Sequence, residues 1–385
     1  MDWCILKRFF SILLLFSVGC SGIKVEQRIS IQPGDWVMAG GSPEQKNVSA
    51  YSLEPPLNLM WDFTLEGGVG PNGISVADAV VFVNVLKGEM LTVDVSTGGK
   101  IGQINFLGKD ANTAPLISGN SVIVSYAGDK KYSLASYNLL KGEINWRRNY
   151  GYIQTSPILK DGSIYFGNLY GSFYKVDASS GQRIWKYNSK APIHSTCAVT
   201  DDKAVFGNDD GIITCLSTND GSLLWKNETG KPLISTPMIN EDVVYIGGDD
   251  SNYYAIKISD GSAVWKNNMH SKIIGGSALY NGEQLVFGCV DGNVYSLNKA
   301  DGTIYWKFNT KGTITSSPVV SGSYVYITSY DGFVYSLDGS SGKMLWSYQM
   351  ENKSKTTPVV WKDYLFAAAD DILYCFTNKA IEKKK

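Results

Sequence analysis

The sequence VDASSGQRIW at residues 176–185 and its counterpart LDGSSGKMLW at residues 337–346 decide the fold, because they are two copies of one pattern. In both copies a Gly precedes a Trp by four residues. This pair of residues recurs about every 40 residues, a period typical of propeller and solenoid repeats. The tryptophans of the pattern, with an isolated one ahead of the array, are Trp61, Trp146, Trp185, Trp225, Trp265, Trp306 and Trp346.

Each repeat predicts four short antiparallel strands. The segments between Trp306 and Trp346 are rich in β-branched and aromatic residues, and turns containing Gly, Ser or Asp separate them. These segments are residues 315–320, 324–327, 333–337 and 343–346. No helical periodicity occurs after the first twenty residues. The sequence therefore predicts an all-β chain.

The number of repeats predicts a closed ring. Trp61 lies two repeats before Trp146, and the boundary between them, near Gln103, has no Trp. Only three strands follow Trp346, whereas residues 57–63 form an unpaired strand ahead of the first repeat. We therefore predict an eight-bladed β-propeller of four-stranded antiparallel blades over residues 57–377, closed by the N-terminal strand, which completes the last blade.

The first twenty residues have the pattern of a secretory signal. Two basic residues precede the apolar run Phe9–Val18, and Gly19 and Cys20 end that run. Ser17–Cys20 resembles the lipobox of bacterial lipoproteins, in which the Cys is acylated and becomes the new N-terminus. We predict a signal peptide at 1–19, lipidation at Cys20, a lipidated segment and linker at 20–56, and a charged tail at 378–385. An ordinary signal peptide with an incidental Cys is the alternative.

Composition excludes several classes of function. The chain has 35 Lys and Arg against 36 Asp and Glu, so it has no broad positive field for nucleic acid. Four of the six Cys lie beyond the lipobox, without a close pair, and a disulfide framework is not expected. We predict that they are small buried apolar residues: Cys197, Cys215, Cys289 and Cys375.

The sequence assigns no catalytic residue, metal ligand or cofactor. The two His, His194 and His270, are predicted at the surface or at the rim of the channel, without an acid in reach. The acidic pairs at 209–210, 249–250 and 370–371 are predicted to form turns rather than a metal site. Small residues in the first strand of each repeat are predicted to line a narrow central channel: Thr113, Thr155, Ser195, Ser235, Gly276, Ser316 and Thr356.

The repeats resemble the tryptophan-docking repeat of quinoprotein-type (PQQ-like) β-propellers. The match runs through residues 57–377, and the Asp of its turn is present at Asp94, Asp177 and Asp338. The resemblance implies that each indole packs between neighbouring blades and that the turn from Asp to Gly supports it. Quinoprotein dehydrogenases often carry a vicinal Cys pair and are much longer, whereas this chain has no Cys-Cys.

The lipobox, the eight repeats and the entry segment Gly34–Gly41 are similar to those of BamB-like lipoproteins. This resemblance implies a scaffold on the periplasmic face of the outer membrane, held by its lipid anchor, with the β-barrel assembly machinery as partner. The family's Leu-x-Leu-Arg-Gly-like contact segment is absent, so the partner-binding residues are not assigned.

Two functions follow from these resemblances. The first is a non-enzymatic envelope scaffold that binds other proteins through loops such as 149–154 and 188–195. The alternative is a small quinoprotein or sugar-binding enzyme that uses the central tunnel.

Overall fold

The computed structural model describes residues 22–25, 28–106, 111–126 and 132–380. The predicted signal peptide and Cys20 lie outside these residues. The described part of the chain consists of strands, turns and irregular backbone, without a helix. It accordingly contains no helix that could cross a membrane.

The strands form eight sheets, and each sheet is one blade. Two strands precede the array: β1 (Val48–Ser49) and β2 (Asn58–Thr64). Blade 1 has β3 to β6: Val69–Ala77, Val80–Val85, Glu89–Asp94 and Lys100–Asn105. Blade 2 has β7 to β10: Leu116–Ser118, Ser121–Ser125, Leu134–Asn138 and Glu143–Arg148. Blade 3 has β11 to β14: Ile158–Lys160, Ser163–Gly167, Ser172–Asp177 and Arg183–Asn188.

The remaining blades repeat this order. Blade 4 has β15 to β18: Ala198–Val199, Lys203–Phe206, Ile212–Ser217 and Leu223–Glu228. Blade 5 has β19 to β22: Met238–Asn240, Val243–Gly247, Asn252–Lys257 and Ala263–Asn268. Blade 6 has β23 to β26: Ala278–Tyr280, Gln284–Gly288, Asn293–Asn298 and Ile304–Asn309. Blade 7 has β27 to β30: Val319–Ser321, Tyr324–Thr328, Phe333–Asp338 and Met344–Gln349. Blade 8 has β31 to β33: Val359–Trp361, Tyr364–Ala369 and Ile372–Thr377.

The N-terminal strand completes the last blade, as predicted. β2 pairs antiparallel with β33 and becomes the outermost strand of blade 8. Blade 8 then joins blade 1, because the Thr357 amide donates to the Pro71 carbonyl at 2.6 Å and the Val69 amide donates to the Asp370 carbonyl at 2.9 Å. The predicted all-β propeller of eight four-stranded blades is therefore confirmed.

Burial follows from the packing of blades against one another. The second strand of blade 3, β12, is buried at every residue because its two faces are covered by the neighbouring blades. In the outermost strand, β14, Trp185 is the only buried residue and the others are exposed or half-buried. The core is therefore spread around the ring as layers between adjacent blades.

Residues 36–49 do not form a free linker. Their backbone is hydrogen-bonded to the innermost strands of six blades, at Val76, Ile117, Val199, Ile239, Leu279 and Val320. β1, at the end of this segment, pairs parallel with β27, and the Ser49 hydroxyl donates to the Val360 carbonyl of blade 8 at 3.1 Å. The segment thus follows the inner wall of the ring, and we call it the plug.

Candidate functional site

The repeated tryptophans join each blade to the next. In six blades the indole Nε1 donates to a backbone carbonyl of the following blade, at 2.8 to 3.2 Å. The donors are Trp61, Trp146, Trp185, Trp225, Trp265 and Trp306. The Gly of the following blade lies against the same ring, as Gly221 does against Trp185. The Gly and Trp pattern is therefore a contact between blades.

Two positions depart from this arrangement. Among the described residues, Trp346 Nε1 has no acceptor. Blade 8 takes its outer strand from the N-terminus, so it has no turn between its third and fourth strands to supply a carbonyl. The indole of Trp346 instead packs edge-on against Phe376. Blade 1 has Gly102 at the position of the Trp, by the same strand register that places Trp185 in blade 3. There Ile23 is fully buried, a Cβ at Gly102 would lie 3.3 Å from its side chain, and its carbonyl accepts from the Tyr137 hydroxyl of blade 2. Ile23 thus fills the junction that lacks a tryptophan.

In three blades an aspartate holds the turn that presents the Gly. Asp177 Oδ1 accepts from the Ser180 amide at 2.8 Å and from the Ser179 hydroxyl at 2.6 Å. These hydrogen bonds lower the pKa of Asp177, since they favour the ionised carboxylate. Asp94 and Asp338 accept equivalent bonds.

A polar cavity opens at one end of the central channel. It has a volume of about 300 Å³, and all eight blades contribute to its wall. The larger polar side chains of the wall are Asn72, Asn112, Gln154, His194 and Lys355, and the smaller ones are Ser156, Thr196, Thr236, Thr315, Ser317 and Thr357. Several of these hydroxyls accept a hydrogen bond from a backbone amide of the preceding blade. Thr196 Oγ1, for example, accepts from the Ser156 amide at 3.1 Å. The wall therefore also connects blades.

The prediction of which residues line the channel is wrong at six of its seven positions. Only Gly276 belongs to the cavity wall. The others are buried and bonded to backbone carbonyls: Thr155 Oγ1 donates to Gly167 within its own blade, and Ser195 Oγ donates to Ser235 of the next blade. Successive side chains alternate between the two faces of extended backbone, so the wall is formed by the positions one residue away. The alternation gives two candidate sets of positions, and the sequence alone does not tell which set faces the channel.

The plug lies next to this cavity. Asn47 is 2% exposed, and its Nδ2 donates to the Ser277 carbonyl at 2.8 Å. A Cβ added to Gly276, in the cavity wall, would lie 3.5 Å from that same Nδ2. The plug therefore contacts the cavity wall at Gly276, but it contributes none of the residues that line the cavity. Sequence analysis missed this segment because its contacts are made mainly by backbone.

His194 lies at the channel mouth, as predicted, but an acid is in reach. His194 Nδ1 and Asp209 Oδ1 are 2.8 Å apart. The prediction of an isolated His is therefore wrong, because the turn after β16 folds back over the loop that carries His194. His270 is elsewhere, in an exposed position of the loop after β22. The acidic pairs lie in turns: Asp250 accepts from the Asn252 amide, and Asp370 has a φ of 50°.

The cavity wall does not fit a calcium-bound quinone. Ca²⁺ takes six to eight oxygen ligands, commonly including carboxylates, and the wall supplies amides and hydroxyls but no carboxylate. Among the residues that the structure describes, no group of three or more His, Cys, Asp or Glu could hold a metal ion. The pairing of His194 with Asp209 could accept or donate a proton at the mouth.

Solved structures share this fold at low sequence identity. BamB from Moraxella catarrhalis has a TM-score of 0.69 and 15% identity, over 84% of this chain and 100% of that one. Quinohemoprotein alcohol dehydrogenase from Comamonas testosteroni has a TM-score of 0.76 and 13% identity, over 91% of this chain and 82% of that one. A europium-containing methanol dehydrogenase has a TM-score of 0.76 and 11% identity, over 90% of this chain and 98% of that one. No curated protein matches the chain at the sequence level.

The repeats also match a family model. Its description is outer membrane protein assembly factor BamB, and its matches cover residues 69–187, 169–302 and 290–382. These overlapping matches extend from blade 1 to the end of the last strand. The chain therefore belongs to the family of the outer membrane protein assembly factor BamB.

Proposed function

We propose that the protein is a non-enzymatic scaffold of the cell envelope that binds the β-barrel assembly machinery. The observation that carries the proposal is the family match over residues 69–382. The geometry agrees with it, because the repeated tryptophans join neighbouring blades and the plug is hydrogen-bonded to the inner strands of six of them. A closed ring of this kind holds its surface loops at fixed positions, as a docking protein requires.

The loop at residues 149–154 is one proposed contact with a partner. Its backbone is held by the turn after β12: Asn168 Nδ2 donates to the Tyr150 carbonyl at 2.6 Å, and the Leu169 amide donates to the Tyr152 carbonyl at 2.9 Å. Tyr170 of that turn is 71% exposed, more than any other large apolar or aromatic residue in the described chain. The loop at 188–195, which contains His194, is the second proposed contact.

The lipid anchor would place blades 1 and 2 next to the membrane. Acylated Cys20 would lie only three residues before Ile23, which is fully buried between these blades. Three residues span at most about 11 Å, so this edge of the ring would lie close to the lipid. We place the protein on the periplasmic face of the outer membrane on the basis of the family.

Loss of the protein from its native host tests this function. We expect deletion of the gene to lower the amount of folded β-barrel proteins in the outer membrane, and the wild-type gene to restore it. Cys20→Ser should restore it less well, because the anchor holds the scaffold beside its partner. Unchanged levels of barrel proteins in the deletion strain would contradict the proposal.

An enzyme that uses the channel is the second candidate. The pairing of His194 with Asp209 beside a polar cavity favours it, and dehydrogenases share the fold. The test is to mix purified protein with PQQ and Ca²⁺ and to measure quinone absorbance and dye-coupled alcohol oxidation. We expect neither binding nor turnover. Stoichiometric quinone binding with turnover would replace the scaffold proposal by the enzyme.

A further inference from the structure

A groove between the outer strands of blades 2 and 3 concentrates the arginines of this chain. The groove has a volume of about 440 Å³. Its walls are Arg148, Asn149, Tyr150, Tyr174, Gln182 and Arg183. The whole sequence has only five Arg, and three of them, at 147, 148 and 183, lie on β10 and β14. We call this site the arginine groove.

The other blades show what the repeat itself requires at these positions. Arg148 lies two residues after the repeated Trp, where later blades have Tyr187, Asn227, Asn267, Phe308 and Tyr348. Arg183 lies two residues before it, where later blades have Leu223, Ala263, Ile304 and Met344. Neither guanidinium is thus needed to build a blade.

The bond to the carbonyl of the turn Gly, which joins blades elsewhere in the ring, does not depend on Arg148 either. In blades 4 and 5, Asn227 and Asn267 donate to the carbonyls of Gly261 and Gly302. In blade 2 the Tyr150 hydroxyl makes the equivalent bond, to the Gly181 carbonyl at 2.6 Å.

Arg148 keeps donors available for a ligand. Its two terminal nitrogens donate to the carbonyls of Arg147 and Ser180, at 2.9 and 2.7 Å. A guanidinium has five N–H donors, so these bonds position the group without saturating it.

The charge in the groove is not neutralised by the described residues. Their ion pairs involve neither Arg148 nor Arg183, so no described carboxylate lies within 4.0 Å of either guanidinium. Lys186 adds a third cation, with its Nζ 5.7 Å from the centre of the Tyr174 ring. Burial raises the pKa of Tyr150, while the charges of both arginines act to lower it. The two guanidinium charges therefore act on the same hydroxyl.

We infer that the arginine groove binds carboxylate side chains of an acidic segment in a protein partner. The inference rests on the proposed scaffold function and specifies the chemistry of one docking surface. Guanidinium groups bind carboxylates in a planar, two-bonded geometry, which distinguishes Arg from the Lys found on the outer strands of blades 3 to 6. The groove also adjoins the loop at 149–154, so both surfaces can contact one partner.

The test uses a fluorescent hexaglutamate peptide and full-length mature protein, with binding measured by anisotropy. Arg148→Asn with Arg183→Leu introduces the residues that blade 4 has at these positions, so the fold should be kept. Lys266→Ala with Lys307→Ala is the control, because it removes two cations from other outer strands. We expect the arginine variant to bind at least tenfold more weakly and the lysine variant less than twofold. No binding by wild type, or equal losses in both variants, would overturn the inference.

Two further measurements identify the source of the carboxylate. Inorganic phosphate that competes as well as hexaglutamate at equal charge would show a small-anion site and overturn the inference. If binding to phosphatidylglycerol vesicles requires the two arginines and binding of the peptide does not, the groove contacts a membrane. That result would also overturn the inference. If only the inference fails, the arginine variant should still co-purify with the β-barrel assembly machinery in the same amount as wild type. Failure of the scaffold function would abolish that purification for wild type.

Discussion

At the scale of residues, the decisive contact is a glycine against an indole. Gly221 has a φ of 75°, and a Cβ there would lie 2.7 Å from the ring of Trp185. Only a residue without a side chain gives both this backbone conformation and this close approach. The sequence showed this contact because it repeats. The wall of the channel was predicted one residue out of place, because a small residue in a short strand does not reveal which way it points.

Gly221→Ala should therefore destabilise the protein markedly. We expect a loss of about 2–4 kcal/mol, which combines the strain of a positive φ with the overpacking of the indole. Gly230→Ala is the matched control, since Gly230 has a φ of 81° and nothing lies within 4 Å of an added Cβ. The measurement is denaturant unfolding of both variants. Equal losses of free energy would show that packing on the indole contributes nothing.

At the scale of elements, two N-terminal pieces complete the ring in different ways. β2 was predictable, because an unpaired strand with the repeated Trp precedes an array that lacks one strand. The plug was not predictable, since irregular backbone without periodicity has no sequence signature. Its bonds to inner strands connect one short segment to blades that lie far along the chain, such as the bond from the Leu279 amide to the Lys46 carbonyl. We expect the plug to stabilise the whole ring.

Gln45→Ala tests the contribution of the plug. Gln45 is 2% exposed, and its Nε2 donates to the carbonyls of Ala39 and Ser42 at 3.0 and 3.1 Å. Removing the amide leaves two carbonyls without this donor, so we expect a loss of about 1–3 kcal/mol in the free energy of unfolding. Val48→Ala, at a position 40% exposed in the same segment, should change it by less than about 0.5 kcal/mol. Indistinguishable unfolding curves for both variants would contradict a structural role of the plug.

At the scale of the whole molecule, the ring and its function depend on different residues. The repeated sequence pattern determines the ring, so the count of strands and the position of Trp61 were enough to predict eight blades. The proposed binding surface uses residues that break the repeat, such as Arg148 and Arg183, and one sequence does not show which exceptions matter until the fold brings them together. The pairing of His194 with Asp209 came from the fold in the same way.

We propose that this ring serves to bind an envelope protein. The most direct measurement is affinity purification of the tagged protein from membranes of its native host, with quantitative mass spectrometry against an untagged control. We predict that the barrel-inserting subunit of the assembly machinery is enriched in near-stoichiometric amount. Purification of the protein alone, with no envelope protein enriched above the control, would contradict a scaffold function.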